Sequence, residues 1–130
     1  MRNVYFISGH RNLTEKEFKD NYREPITNAA YEDRSTFVIG DCYGADIMAQ
    51  NFLVEVLKVN PDRITVYCAS HTPRLINPKI TKIKSGYKTY TERDAAMTAD
   101  STVDIAFVRD PLKKSGTGAN ILRRCQLKQS

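Results

Sequence analysis

Val4-Tyr5-Phe6-Ile7-Ser8-Gly9-His10-Arg11 is an apolar run that breaks into a small polar loop. The same arrangement returns twice. Thr36-Phe37-Val38-Ile39 runs into Gly40-Asp41-Cys42-Tyr43-Gly44-Ala45-Asp46. Val103-Asp104-Ile105-Ala106-Phe107-Val108 leads, after a short linker, into Ser115-Gly116-Thr117-Gly118-Ala119-Asn120. Short apolar runs bounded by turn residues read as buried strands. Each loop hands over to a stretch with helical spacing. This alternation predicts an α/β fold, a three-layer sandwich around a mostly parallel central sheet. Right-handed crossovers then gather the three loops at one sheet edge, where open α/β sheets take their ligands.

Between these landmarks the chain fills in as four strands, at 3–8, 36–40, 63–68 and 103–108, with helices between them. Thr14-Glu15-Lys16-Glu17 is a capping box. Phe18, Tyr22, Ile26 and Ala30 share one helical face, which Pro25 interrupts. A second helix spans about Ala45 to Lys58, with Ala45, Ala49, Phe52, Val56 and Val59 as its apolar stripe. Asn60-Pro61-Asp62 turns into the third strand. Residues 69–88 lack periodicity and hold two prolines and four lysines. Such a stretch reads either as a flap over the site or as a surface insertion. Helices over Thr89–Ala99 and from about Gly118 to Leu127 complete the chain. Residues 1–130 read as a single domain, with no repeat or linker.

The 130 residues can bury a core without metal or disulfides. Three cysteines, Cys42, Cys68 and Cys125, form no CxxC pair and no disulfide framework, and zinc ligation is not expected. Cys68 and Cys125 read as small buried hydrophobes. Cys42 lies in the second loop, where a reactive thiol is the alternative. No apolar run reaches membrane-spanning length and no leader pattern opens the sequence, so a cytoplasmic protein is expected. The formal charge of +5 favours anionic ligands. The lysines at 79, 82, 84 and 88 read either as a solvated basic face or as a nucleic-acid surface.

Arg11 can meet a phosphate bidentately. His10 either contacts the ligand or caps its turn. Asp46 opens a helix, where a carboxylate favours the dipole; the functional alternative is a hydroxyl acceptor or general base. Ser115-Gly116-Thr117-Gly118 offers backbone donors, two hydroxyls and a helix start, suitable for phosphate. The chain lacks G-x-x-x-x-G-K-[ST], and no G-x-G-x-x-G follows its first strand. P-loop and ordinary dinucleotide chemistry are therefore not supported, and no cofactor is expected.

The order of Ser-Gly-His-Arg, Gly-x-x-x-Gly-Ala-Asp-x-x-Ala, Arg93-x-x-x-Met97 and Ser-Gly-Thr resembles the SLOG superfamily of Rossmann-like nucleotide-binding domains. That group includes LOG-type phosphoribohydrolases, DprA-type DNA-processing proteins and small YspA/YpsA-like proteins, the last being most similar. The resemblance implies a nucleotide pocket. The candidate ligand-binding set is Ser8, Gly9, His10, Arg11, Gly40, Asp41, Gly44, Ala45, Asp46, Arg93, Ser115, Gly116, Thr117, Gly118 and Asn120. The resemblance also implies a homo-oligomer, as a dimer. LOG-type enzymes carry a glutamate three residues beyond the threonine, whereas this chain has Asn120, which cannot serve as a carboxylate base. Three functions follow as alternatives. The first is a sensor or sequestering protein for a nucleotide or sugar phosphate. The second is a nucleoside monophosphate N-glycoside hydrolase using Asp46, Arg93 and Asp94 as catalytic groups. The third is a DprA-like single-stranded nucleic-acid binder using the lysine strip.

Overall fold

The structure is a computed structural model and describes residues 2–129. Five parallel strands form one sheet: β1 (Val4–Ser8), β2 (Thr36–Ile39), β3 (Ile64–Tyr67), β4 (Lys82–Lys84) and β5 (Val103–Ala106), in the order β4-β3-β2-β1-β5. The helices are α1 (Glu15–Asn21), α2 (Arg23–Tyr31), α3 (Ala45–Asn51), α4 (Tyr90–Ala99) and α5 (Gly116–Gln129). The fold is the expected Rossmann-like α/β sandwich. The chain winds outward from β1 to β4, then returns to β1's other side as β5. The order therefore reverses between β1 and β5, which pair from Tyr5↔Val103 to Ser8↔Ala106.

The inner strands are apolar because both of their faces are covered. Tyr5, Ile7, Phe37, Ile39, Ile64 and Val66 pack with Phe18, Tyr22, Ile26, Ala49 and Leu53 in the larger core cluster. Phe6, Val38, Tyr67 and Met97 form a second cluster on the other face. Thr14 caps α1 in the expected box, its side chain accepting from Glu17 N while Glu17 accepts from Thr14 N. The first helix divides at Tyr22, and Pro25 sits in the first turn of α2, where its missing N–H costs little.

Three readings change. The segment 69–88 contributes the fifth strand, β4, rather than a flap. Its residues Lys82-Ile83-Lys84 are all exposed, so no alternation or apolar run marked it. The segment is tied down before the strand: Leu75 N donates to Asp41 O, and Asn77 N donates to Gln50 Oε1. Second, α3 continues as a π turn over Phe52–Val56. The extra residue per turn rotates Val56 out of the expected stripe to 57% exposure, while Leu53 and Val54 are buried. Cys68 is buried as expected, but Cys125 is exposed on α5. Among the described residues no helix is long and apolar enough to cross a membrane.

Candidate functional site

A cavity of about 370 Å³ opens at the carboxyl ends of the strands, where the sheet order reverses. Its size lies within the ordinary range for small-molecule sites. Ser8, Gly9, His10 and Arg11 enter it from the β1 loop, Cys42 and Asp46 from the β2 loop, and Gly116, Thr117 and Asn120 from α5. The three remote polar loops thus converge on one space. Helix α4 supplies the remaining wall with Tyr90, Thr91, Arg93, Asp94 and Met97, and Phe6 lies beneath.

The loops are held by specific contacts. The Tyr22 hydroxyl donates to Ser8 O at 2.7 Å and accepts from Phe107 N at 3.0 Å, joining the ends of β1 and β5. A Cβ at residue 9 would collide with that hydroxyl and with Ala45 Cβ, so only glycine fits there. Gly44 adopts φ +74°, and its Cα packs against the carbonyls of His10 and Arg11. Arg124 reaches back from α5 to Ser101 O and Asp104 Oδ1, fixing the helix that carries Thr117 and Asn120.

Arg93 is the electrostatic centre. It is 5% exposed and donates from Nη1 to Asp41 Oδ1 at 2.7 Å, and from Nε and Nη2 to Asp94 Oδ1. Burial opposes its charge, but the carboxylates of Asp94 and Asp46 outweigh that and raise its pKa. Asp46 accepts Cys42 N at Oδ2, 3.0 Å away. Burial pushes its carboxyl up to about 6, with Arg93 and the Cys42 N–H pulling the other way. Such a group can exchange a proton near neutrality. Arg74 joins the cluster without lining the cavity: its backbone N–H donates to Asp41 Oδ2 and its guanidinium lies against Cys42 Sγ. The Tyr90 ring lies within 5.7 Å of the guanidinium carbons of Arg11, Arg74 and Arg93.

His10 lines the cavity but also closes its own loop, because Nε2 accepts from Arg109 N at 2.9 Å. An imidazole accepting at Nε2 carries its proton on Nδ1. Ser8 and Thr117 are 7% and 5% exposed, and no described residue hydrogen-bonds their hydroxyls. Neither hydroxyl is among the fully enclosed unpaired atoms, so both retain access to open space.

Ten of the expected residues therefore meet at the cavity: Ser8, Gly9, His10, Arg11, Asp46, Arg93, Asp94, Gly116, Thr117 and Asn120. Gly40, Asp41, Gly44, Ala45, Ser115 and Gly118 stand behind its walls. Asp41 serves as a buried partner of Arg93, and Ser115 Oγ accepts Gly118 N to start α5. Sequence reasoning missed Phe6, Tyr90 and Thr91 in the lining, and Arg74 as a partner of Asp41 and Cys42. Tyr90 lies three residues before Arg93, which places both on one helical face, and that spacing was a usable signal. Arg74 left none.

No family model matches this chain, and no curated protein matches it. Among solved structures, DNA processing protein A from Helicobacter pylori is similar, at a TM-score of 0.61 and 20% identity. Its published description concerns single-stranded DNA binding. The match covers 98% of this chain but only 60% of that one, and what the two share is the Rossmann-like fold.

Proposed function

We propose that this protein is a SLOG-type binder of a nucleotide or nucleotide-derived ligand, acting to sense or sequester it. The observation that carries this reading is the pair of unpartnered hydroxyls on two largely buried residues, Ser8 at the end of β1 and Thr117 at the start of α5, in a cavity that Arg11 also enters. Backbone N–H groups at a helix start, hydroxyls and a guanidinium together suit phosphate. Asp46 and Asp94 supply carboxylates for ribose hydroxyls. Isothermal titration against mono-, di- and cyclic nucleotides tests the reading, with at least one expected to bind. Silence across the panel would remove it.

A second reading, single-stranded nucleic-acid binding, draws support from exposed aromatics beside cations. Tyr90 lines the cavity and is 42% exposed, with Arg11 and Arg74 beside it, and Tyr43 of the second loop is 63% exposed. Stacking platforms among cations suit single strands. Lys79 and Lys84 of the basic strip are engaged with Glu55 and Asp100. Binding of an oligonucleotide that weakens steeply with salt would favour this reading over a free nucleotide. The hydrolytic alternative rests on Asp46 beside Arg93, and free-base release from a nucleoside monophosphate tests it.

A further inference from the structure

Asn120 faces the cavity from the start of α5 and is 3% exposed. Its Oδ1 accepts from Arg123 Nη1 at 2.7 Å. A carboxamide has one acceptor oxygen and one NH2 donor group, and an arginine only donates. Turning the amide over would set donor against donor, so Arg123 fixes which way Asn120 points. The NH2 group is left without an acceptor among the described residues.

The neighbours reinforce this polarity. The Ser8 and Thr117 hydroxyls are free to donate, and the backbone at Gly116 and Thr117 lies in the first turn of a helix of 14 residues. The cavity's carboxylates, Asp46 and Asp94, come from the second loop and α4. A ligand hydroxyl offers these donors one neutral oxygen, whereas an ionised phosphate offers three and a negative charge. A group with oxygens and no hydrogens is complementary, and an ionised phosphate is such a group.

We propose that Asn120 is a specificity-determining residue: its carboxamide, locked by Arg123, selects a ligand whose buried end is an acceptor-only phosphate monoester over the same ligand ending in a hydroxyl. This deepens the nucleotide reading and rests on it for the rest of the ligand. An asparagine here, rather than a carboxylate, suits retention of a charged phosphate.

Asn120→Asp tests this selection. The change preserves shape and gives Arg123 a charged partner, but it presents a carboxylate where the NH2 group stood. The full-length wild type, N120D and R123Q are titrated calorimetrically with the four common nucleoside monophosphates, the parent nucleosides and inorganic phosphate. The wild type is expected to prefer at least one monophosphate over its nucleoside, by about tenfold or more for a charge-assisted contact. N120D should lose about tenfold of that preference, and R123Q, which frees the amide to turn, about threefold. R123Q decides the matter if N120D does not fold. An undiminished monophosphate preference in both variants overturns the role of Asn120 while leaving nucleotide binding intact. Asn120-dependent binding of inorganic phosphate without any nucleotide upholds the residue's role and overturns the nucleotide reading. No binding of any of these three kinds of probe by the wild type overturns both.

Discussion

Arg93 and Asp41 form an ion pair at 2.7 Å, with side chains only 6% and 1% exposed. Asp41 belongs to the loop after β2 and Arg93 to α4, so the pair clamps two cavity walls together. Buried charge left unpaired costs about 3–5 kcal/mol. Asp41→Asn leaves Arg93 with Asp94 as its remaining ion-pair partner and should therefore lower stability by a part of that range in urea unfolding. Asp94→Asn should cost less, because its side chain keeps 17% exposure and water can replace part of its role. Equal losses at the two positions would contradict this ranking.

Asp46 makes stability depend on pH in a defined sense. Its folded-state pKa of about 6 lies above the ordinary 3.8, so the native state holds the proton more tightly. Its contribution is fully present below about 3.8 and is lost as pH rises through about 6. Two units correspond to about 3 kcal/mol. Asp46→Asn, which cannot titrate, should gain on the wild type by roughly that amount between acid and neutral pH. Urea midpoints of the two proteins across this window measure it, and a constant difference would rule it out.

Gly44 occupies a backbone conformation that side chains rarely adopt, and an added Cβ would strike the His10 and Arg11 carbonyls. Gly44→Ala should cost about 1–3 kcal/mol from conformation alone, with the collision added. A calorimetric melting scan would register this as a clear fall in Tm. Gly86 has φ +90° but open space around it, so Gly86→Ala separates the two contributions.

Thr117→Val removes a hydroxyl that bonds to no described residue. Stability should hold within about 0.5 kcal/mol. Nucleotide affinity should fall about tenfold or more if that hydroxyl meets phosphate. Ser8→Ala should behave alike. Loss of stability without loss of affinity would assign these hydroxyls to the fold instead.

The parts of the fold that were legible are those where burial writes a pattern. β1, β2, β3 and β5 each carry an apolar run, and Thr14 with Glu17 marks a helix start in four residues. β4 was illegible because an exposed edge strand needs no apolar residue, and Lys82-Ile83-Lys84 has the charged character that discourages further pairing. Val56 misled because helical spacing assumes an α turn, whereas the π turn at Phe52–Val56 shifts the phase. At the site, the glycine-containing loops announced themselves through backbone constraints. The division of labour among their acids did not: only tertiary geometry sends Asp41 behind the wall and Asp46 into the cavity. Arg74 reaches Asp41 across more than thirty residues, by an approach that no local spacing encodes.

The Tyr22 phenol spans the gap between the ends of β1 and β5. One oxygen atom thereby pins two strand tips just where their own pairing runs out, and it does so from the junction of α1 and α2 rather than from the lining itself. Walls can be repainted by substitution at Tyr90, Asn120 or Asp94 while the breadth of the cleft stays as it is. Loss of the Tyr22 hydroxyl would instead free the Ser8 carbonyl and the Phe107 N–H together, loosening the floor on which every wall stands.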